Sequence, residues 1–271
     1  PPSPPPPARV TGGGRVTLVN HATVLVQLGG VNVLTDPVWS DFVGPTSVLG
    51  QKRHRAPGLP FDQLPHIDVV LLSHNHYDHL DLPTLERIQK RDAPLVLAGL
   101  GTAQLLVNHG IARARDLDWW KSEEINGLRI TFTPAQHWSR RSAFDAKVNL
   151  WGGFHLGGGG RSVYFAGDTG EGPHFQAIRD RLGAPELALL PIGAYLPRWF
   201  MRSQHVDPDG AVAAHLVLGA GRSVAMHWGT FQQADEGMDD PPAELKRALD
   251  HRGVPPDHFV VLANGQGYSL P

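Results

Sequence analysis

Apolar positions in the chain fall into short runs rich in β-branched residues, and such runs predict strands. Three runs follow one another closely after residue 15, and Gly29-Gly30 between the second and third predicts a tight hairpin turn. The run 67–72 predicts a strand that is buried on both faces. The predicted strands are 16–19, 23–28, 31–34, 67–72, 94–98, 128–133, 148–155, 162–166, 187–191, 223–227, 259–262 and 267–270.

Helical segments are marked by capping residues and by glycines that end them. Asp81 with Pro83 in the first turn predicts one helix start, and Asp207 with Pro208 predicts another. Gly110 and Gly253 follow two of the predicted helices and would stop them. The predicted helices are 81–91, 102–109, 175–182, 207–218 and 243–251.

The order of these elements indicates the fold class. Early strands come as hairpins and later strands alternate with helices, which favours an α/β fold of two packed sheets with helices outside, a four-layer αββα sandwich. Residues 1–7 are nearly all proline, and we interpret 1–14 as a Pro/Gly-rich tail or linker, with a proline ligand for a partner domain as the alternative. We find no internal repeat and no later linker, so residues 15–271 are predicted to form one domain.

Composition and charge limit the partners and metal ligands that the protein can use. The 271 residues carry a net charge of −2, so bulk electrostatics does not favour nucleic acid, and no nucleic-acid partner is expected. There is no cysteine, which excludes disulfides, thiolate metal sites and cysteine nucleophiles. The chain begins at Pro1 rather than Met, which is consistent with removal of an N-terminal signal or anchor. Membrane-associated and periplasmic locations both stay open.

A histidine-rich motif follows the predicted buried strand directly. His74-Asn75-His76-Tyr77-Asp78-His79 has the form HxHxDH. Alternation in an extended segment places His74 and His76 on one side, where both can hold one ion. Asp78 and His79 come where the chain turns toward the next helix, so they can face a second ion. Imidazole and carboxylate are ligands of zinc, and the same set also accepts iron or manganese.

Three further candidate ligands follow later predicted strands. His137 comes after strand 128–133, Asp168 after strand 162–166, and His227 at the end of strand 223–227. Each is a weak signal alone. Their shared position matters, because ligands gather at the carboxyl ends of strands in layered α/β folds.

Motifs along nearly the whole chain carry a family resemblance. HxHxDH followed by later His, Asp and His resembles the metallo-β-lactamase superfamily. Further strings resemble, within it, the group of phospholipases D that hydrolyse N-acylphosphatidylethanolamine. These strings are Asn20-His21-Ala22-Thr23-Val24-Leu25, Leu34-Thr35-Asp36-Pro37-Val38-Trp39-Ser40, Pro191-Ile192-Gly193-Ala194-Tyr195, Arg198-Trp199-Phe200-Met201, Gln204-His205-Val206-Asp207-Pro208 and His227-Trp228-Gly229-Thr230-Phe231.

The resemblance implies a site with two Zn²⁺ ions, and iron or manganese would suit the same ligands. It assigns His74, His76 and His137 to the first ion, Asp78, His79 and His227 to the second, and Asp168 to a bridging position. The family usually has Gly before the first-string histidine, where this chain has Asn20. Because Asn tolerates a left-handed backbone, we expect Asn20 to change a turn and not the metal site.

The implied activity is zinc-dependent phosphodiester hydrolysis, in which a metal-bridging hydroxide attacks phosphorus and N-acylethanolamine and phosphatidic acid are released. Asp78, Asp168 and His205 are the predicted catalytic residues. A phospholipid or another phosphodiester would be the substrate, and peripheral membrane contact and a homodimer are both compatible with the sequence. Two alternatives stay open: a hydrolase of a small ester, lactone or cyclic phosphodiester, and a non-catalytic metal-stabilised binding module.

Residues around the predicted site have functional and structural interpretations. Asp36 or Asp81 can accept the second N–H of a metal-bound histidine, or each can be a turn or cap residue. His21 is a further outer candidate, and His205 can bind phosphate or donate a proton to the leaving group. The basic segment 52–55 is a lipid-headgroup contact or a solvated loop. The aromatic segment 198–201 is an acyl-groove wall, a membrane contact or core.

Overall fold

Two seven-stranded sheets organise the chain in a computed structural model, which describes residues 4–46 and 49–270. The first sheet has the order β16-β1-β2-β3-β6-β7-β8, and the second has the order β15-β14-β13-β12-β11-β10-β9. The first contains β1 Gly14–Asn20, β2 Thr23–Leu28, β3 Val31–Thr35, β6 Val69–Leu72, β7 Leu95–Gly99, β8 Ala114–Leu117 and β16 Gly267–Leu270. The second contains β9 Ser122–Ile125, β10 Leu128–Thr133, β11 Gly153–Gly158, β12 Arg161–Phe165, β13 Leu187–Pro191, β14 Arg222–Met226 and β15 Phe259–Val260, and a short separate hairpin pairs β4 Phe42–Val43 with β5 Gln51–Lys52.

Each large sheet has an antiparallel half and a parallel half. Strands β16, β1, β2 and β3 pair antiparallel, whereas β3, β6, β7 and β8 run parallel. In the second sheet β9 to β12 are antiparallel and β12 to β15 are parallel. The helices are α1 Leu82–Asp92, α2 Ala103–Asn108, α3 His174–Leu182, α4 Arg198–Met201, α5 Pro208–Leu218 and α6 Asp240–Arg252, with a 3₁₀ turn at Phe61–Gln63.

The strand β6 shows why the sheets lie between helical layers. Val69 and Leu71 belong to the core between the two sheets, whereas Val70 and Leu72 pack with α1 and α2 on the outer face. Apolar side chains on both faces require cover on both faces. Helices α3, α5 and α6 cover the second sheet in the same way. This arrangement confirms the predicted four-layer αββα sandwich of the metallo-β-lactamase fold.

One predicted strand begins later than the sequence suggested. The apolar run 148–155 becomes strand only from Gly153, because residues before it cross between the sheets. There Leu150 N donates to Leu100 O at 2.8 Å, and Gly152 N donates to Ser73 O at 2.9 Å. A Cβ on Gly152 would lie 2.1 Å from Thr133 O, so only glycine fits this crossing.

The described part of the predicted N-terminal tail lies against the first sheet. Gln27 donates to Pro7 O at 2.8 Å, and Asn32 donates to Ala8 O at 2.8 Å. Arg9 forms two hydrogen bonds with Asp68, at 2.6 and 2.9 Å. These contacts hold residues 7–9 against the sheet, which a free linker would not show. The start of the folded domain at residue 15 stays a prediction. None of the helices in 4–46 and 49–270 has the length and apolar character of a membrane span.

Candidate metal centre

All seven predicted metal ligands meet at one edge of the sandwich. The loop after β6 in the first sheet carries four of them, and loops after β10, β12 and β14 in the second sheet carry the others. Every one is buried or nearly so. The seven residues are His74, His76, Asp78, His79, His137, Asp168 and His227.

The first group consists of three histidines. His76 Nδ1 lies 2.8 Å from His74 Nε2 and 3.3 Å from His137 Nε2. The other ring nitrogen of His137 must donate to Gln204 O, 3.0 Å away, so its Nε2 carries a lone pair. His74 Nδ1 likewise donates to Ser73 Oγ, because that hydroxyl already donates to Asp36. Lone pairs of His74 and His137 therefore converge on one point.

The second group contains Asp78, His79 and His227. His79 Nε2 lies 3.0 Å from Asp78 Oδ2, and His227 Nε2 lies 3.6 Å from the same oxygen. Asp168 lies between the two groups. Its Oδ2 is 3.1 Å from His79 Nε2 and 3.8 Å from His137 Nε2, and its Oδ1 is 3.1 Å from His227 Nε2. One carboxylate thus reaches both groups.

The donor atoms of the second group and of Asp168 fit a metal ion. His79 Nε2, His227 Nε2 and Asp168 Oδ1 are buried and have no hydrogen-bond partner within the described chain. Such orphaned atoms are costly unless something satisfies them, and a divalent cation would satisfy all three. Separations near 3 Å also agree with the spacing of about 3.3 Å between ligands of a tetrahedral zinc ion.

Proton affinities in the centre follow from burial and from neighbouring charges. Burial would raise the pKa of Asp168, but His227 and His79 hold it well below its ordinary value. Burial would lower the pKa of His79, but Asp168 and Asp78 raise it well above that of a free histidine. The pKa of His227 is raised to about 9 by Asp168 against the same burial effect. The two carboxylates therefore create a strongly cation-attracting field.

Of the two aspartates predicted to accept the second N–H of a metal-binding histidine, Asp36 is the one that does so. Its Oδ2 lies 2.6 Å from His79 Nδ1, and the carboxylate also accepts from Ser73 N and Ser73 Oγ at 2.8 and 2.6 Å. Asp81 lies elsewhere and has a structural role. Its carboxylate accepts from Ser40 Oγ at 2.8 Å and from Thr84 Oγ1 at 2.6 Å, and it makes no side-chain cap on α1.

His21 reaches the second group from outside, and its backbone corrects the expectation for Asn20. The left-handed residue is His21, with φ 45°, whereas Asn20 is the last residue of β1. Asn20 instead donates to Val38 O at 3.1 Å and accepts from Arg53 at 3.0 Å. His21 Nε2 lies 2.9 Å from Asp78 Oδ2.

His205 lies beside both groups, in contact with a cleft. Its ring centroid is 5.1 Å from that of His137 and 5.5 Å from that of His227. Burial lowers its pKa to about 4, and its Nδ1 has no partner within the described residues. At neutral pH His205 is therefore a neutral hydrogen-bonding group, which disfavours the proton-donating role.

A cleft of about 670 Å³ leads from solvent to the centre. Its lining is mostly apolar and includes residues of the metal centre. Trp138 packs on the ring of His76, with centroids 4.9 Å apart. The lining includes His76, Tyr77, Asp78, Trp138, Arg141, Asp168, Phe200, Met201, Gln204, His205 and Gln233.

Two site residues were not identified from the sequence. Gln233 Nε2 donates to Asp78 Oδ2 at 2.7 Å, and Arg141 Nη1 donates to Asn75 O and Leu80 O at 3.1 and 2.8 Å. Gln233 lies 155 positions from Asp78. Neither residue belongs to a recognised ligand pattern, so only the fold reveals these contacts.

The two surface segments singled out in the sequence separate into distinct environments. Arg53 is 8% exposed and stacks on Phe231, so the segment 52–55 is not one lipid-facing basic patch. Arg55 pairs with Asp239 at 2.5 Å. In the aromatic segment Phe200 lines the cleft, while Trp199 is 86% exposed, so neither is core.

Comparisons with known proteins agree with this geometry. The family described as a Beta-lactamase superfamily domain matches residues 31–228. The chain is 41% identical to N-acyl-phosphatidylethanolamine-hydrolyzing phospholipase D 1 of Caenorhabditis elegans, over 92% of this chain and 74% of that protein. It is 31% identical to a metal-dependent hydrolase of Methanopyrus kandleri, over 94% of this chain and 99% of that protein.

A solved structure shows the same fold at lower identity. The metallo hydrolase from Ignicoccus hospitalis superposes with a TM-score of 0.71 at 23% identity, over 95% of this chain and 98% of that one. The two relatives and the matched domain confirm the family that the motifs predicted. This chain therefore belongs to the metallo-β-lactamase superfamily, in the group of the N-acylphosphatidylethanolamine-hydrolysing phospholipases D, and is a metal-dependent hydrolase.

Proposed function

We propose that the protein is a two-zinc phosphodiesterase that hydrolyses N-acylphosphatidylethanolamine to N-acylethanolamine and phosphatidic acid. The observation that carries the proposal is the cleft, which places apolar walls directly beside the metal centre. A lipid phosphodiester needs both surfaces, because its phosphate must reach the centre while its acyl chains leave water. The nematode relative, whose name gives this reaction, supports the same substrate class.

In this proposal His74, His76 and His137 would hold one ion, Asp78, His79 and His227 would hold the other, and Asp168 would be shared between them. Bound zinc ions supply a water of lowered pKa and positive charge toward the phosphate. Asp36 keeps the His79 ring oriented by accepting its Nδ1–H. The cleft wall formed by Trp138, Phe200 and Met201 holds the apolar part of the lipid and excludes water from it.

His205 is assigned to the phosphate oxygens. Because burial lowers its pKa to about 4, it is neutral at physiological pH and can offer one N–H as a hydrogen-bond donor. Arg198 Nη1 donates to the His205 carbonyl at 2.9 Å, which fixes this part of the backbone. We expect His205→Ala to reduce kcat while both metal ions stay bound.

The test combines elemental analysis with two hydrolysis assays, one on bis(p-nitrophenyl) phosphate and one on N-acylphosphatidylethanolamine in mixed micelles. We expect about two zinc ions per chain and cleavage of both substrates, with at least a hundredfold loss in Asp168→Ala. His66→Ala, on an exposed histidine far from the cleft, serves as the matched control. Cleavage of the generic diester without cleavage of the lipid would contradict the lipid assignment and favour a small-substrate hydrolase.

A further inference from the structure

Gln233 occupies a defined place beside the metal centre. It lies in the loop after β14 and lines the cleft, and its Nε2 donates to Asp78 Oδ2 at 2.7 Å. The same oxygen lies 2.9 Å from His21 Nε2. Two donors from segments far apart in sequence therefore converge on one oxygen of a candidate ligand.

The loop that carries Gln233 is held firmly. Gln232 Nε2 donates to Ala234 O and Glu236 O at 2.6 and 2.7 Å. The Glu236 carboxylate is buried and accepts backbone N–H bonds from Ala194 and Leu196 at 2.6 and 3.0 Å. A carboxylate that holds three consecutive residues of another loop cannot shift without breaking several bonds. The Gln233 carboxamide is thus presented from a fixed backbone.

We propose that Gln233 is a positioning residue, which holds the Asp78 carboxylate in the orientation that binds the second metal ion. The terminal torsion of an aspartate is soft, so one hydrogen bond leaves the carboxylate free to rotate. His21 supplies a bond from the buried side, and Gln233 supplies a second bond from the cleft side. Together they fix the rotation of the carboxylate, with Oδ2 3.0 Å from His79 Nε2.

This inference rests on the proposed metal site, but its test needs no substrate. Zinc affinities of the 271-residue chain are measured by competition with a chromophoric chelator, for the wild type and for Gln233→Met. Methionine keeps the length of the side chain and removes the donor. We expect one of the two zinc affinities to fall 10- to 100-fold, as for other outer contacts of metal ligands, and the other to stay unchanged.

Gln232→Met is the matched control, because this neighbouring glutamine donates to two carbonyls of its own loop and to no candidate metal ligand among the described residues. We expect it to lower the Tm and to leave both zinc affinities nearly unchanged, because the Glu236 carboxylate still fixes the loop. A double-mutant cycle with Asp78→Ala distinguishes an effect of Gln233 that acts through Asp78 from a change in the loop as a whole. If Gln233 acts through Asp78, then Gln233→Met causes no further loss of zinc affinity in the Asp78→Ala background.

The outcomes distinguish this inference from the proposed function. If the wild type binds no zinc, both are wrong. If the wild type binds two ions and Gln233→Met binds them equally well, only the role of Gln233 is overturned. An equal loss in Gln232→Met, or a full additional loss in the Asp78→Ala background, would likewise overturn it, since either result assigns the effect to the loop as a whole.

Discussion

At the scale of single residues, the centre is organised by which nitrogen of each histidine carries a proton. His137 and His74 each donate one ring N–H outward, to Gln204 O and Ser73 Oγ, and turn the other nitrogen inward. His79 also donates its Nδ1–H outward, to Asp36. The outer bonds of His74 and His137 prepare lone pairs for a cation before one binds, so little reorganisation of these two rings is needed.

Metal binding should release protons. In the metal-free protein the raised pKa values of His79 and of His227, the latter about 9, keep both rings protonated at pH 7. Because a metal ligand must be neutral, we expect about two protons to be released per chain at pH 7. The number should fall as pH rises through about 9, where His227 is already neutral. Calorimetric titration in buffers of different ionisation enthalpy measures it.

His227→Ala should reduce the release at pH 7 by about one proton, since one raised pKa is removed. His205→Ala is the control, because burial lowers the pKa of His205 to about 4, so the ring is already neutral at pH 7 and does not contribute to the release. Zinc binding with no proton release in the wild type would mean that the centre is not charged as described.

At the scale of elements, two loops beside the cleft are tied by one arginine. Arg141 Nη1 donates to Asn75 O and Leu80 O, near the two ends of the histidine loop, and its guanidinium lies 4.1 Å from the Tyr77 ring centre. Tyr77 returns a bond to Arg141 O at 2.7 Å. The histidine loop is therefore fixed by contacts outside the metal centre.

Arg141→Met should leave the Asn75 and Leu80 carbonyls without their donor. We expect the free energy of unfolding of the metal-free protein to fall by about 1–3 kcal/mol. Arg140→Met changes an exposed neighbour and should cost less than about 0.5 kcal/mol. Urea denaturation of both variants measures the difference. Equal stabilities would show that the hydrogen bonds from Arg141 to the histidine loop do not stabilise the protein.

Elements also show what could be predicted from sequence. The run 67–72 and Leu128–Thr133 were located well, because buried strands carry an apolar pattern and the polar residues after them mark the strand end. The strands β8 and β9 were missed, since Ala-Arg-Asp-Leu and Ser-Glu-Glu-Ile lie at sheet edges and have little apolar pattern. Gln233 and Arg141 could not be found, because their partners are defined only by how distant loops meet.

At the scale of the whole molecule, residues before the first strand contribute to stability. The side chains of Gln27 and Asn32 are fully buried, and Pro7 O accepts from Gln27 while Ala8 O accepts from Asn32. Removing residues 1–10 should expose these amides and lower the free energy of unfolding by about 2–4 kcal/mol, while the metal centre keeps its ligands. Thermal unfolding and zinc content check both parts, and an unchanged Tm would restore the interpretation as a free linker.

The mouth of the cleft also bears on how a lipid would be reached. Trp199 is 86% exposed beside Phe200, and Phe144 is 96% exposed beside the lining residue Ala143. If the substrate is drawn from a bilayer, Trp199→Ser with Phe144→Ser should raise KM for vesicle substrate about tenfold and leave kcat on a soluble diester unchanged. Val107→Ser, 45% exposed on α2, is the control, and equal KM values would contradict membrane contact.

The candidate metal ligands come from both sheets, so metal binding and unfolding are coupled. Each group takes side chains from the loop after β6 in one half and from loops after β10, β12 or β14 in the other. An ion in either group would thus bind the folded molecule, in which the two halves are paired, more tightly than a separated half. Tight metal binding then adds directly to the free energy that keeps the halves together. A chelator should accordingly lower the Tm of this enzyme as well as inhibit it.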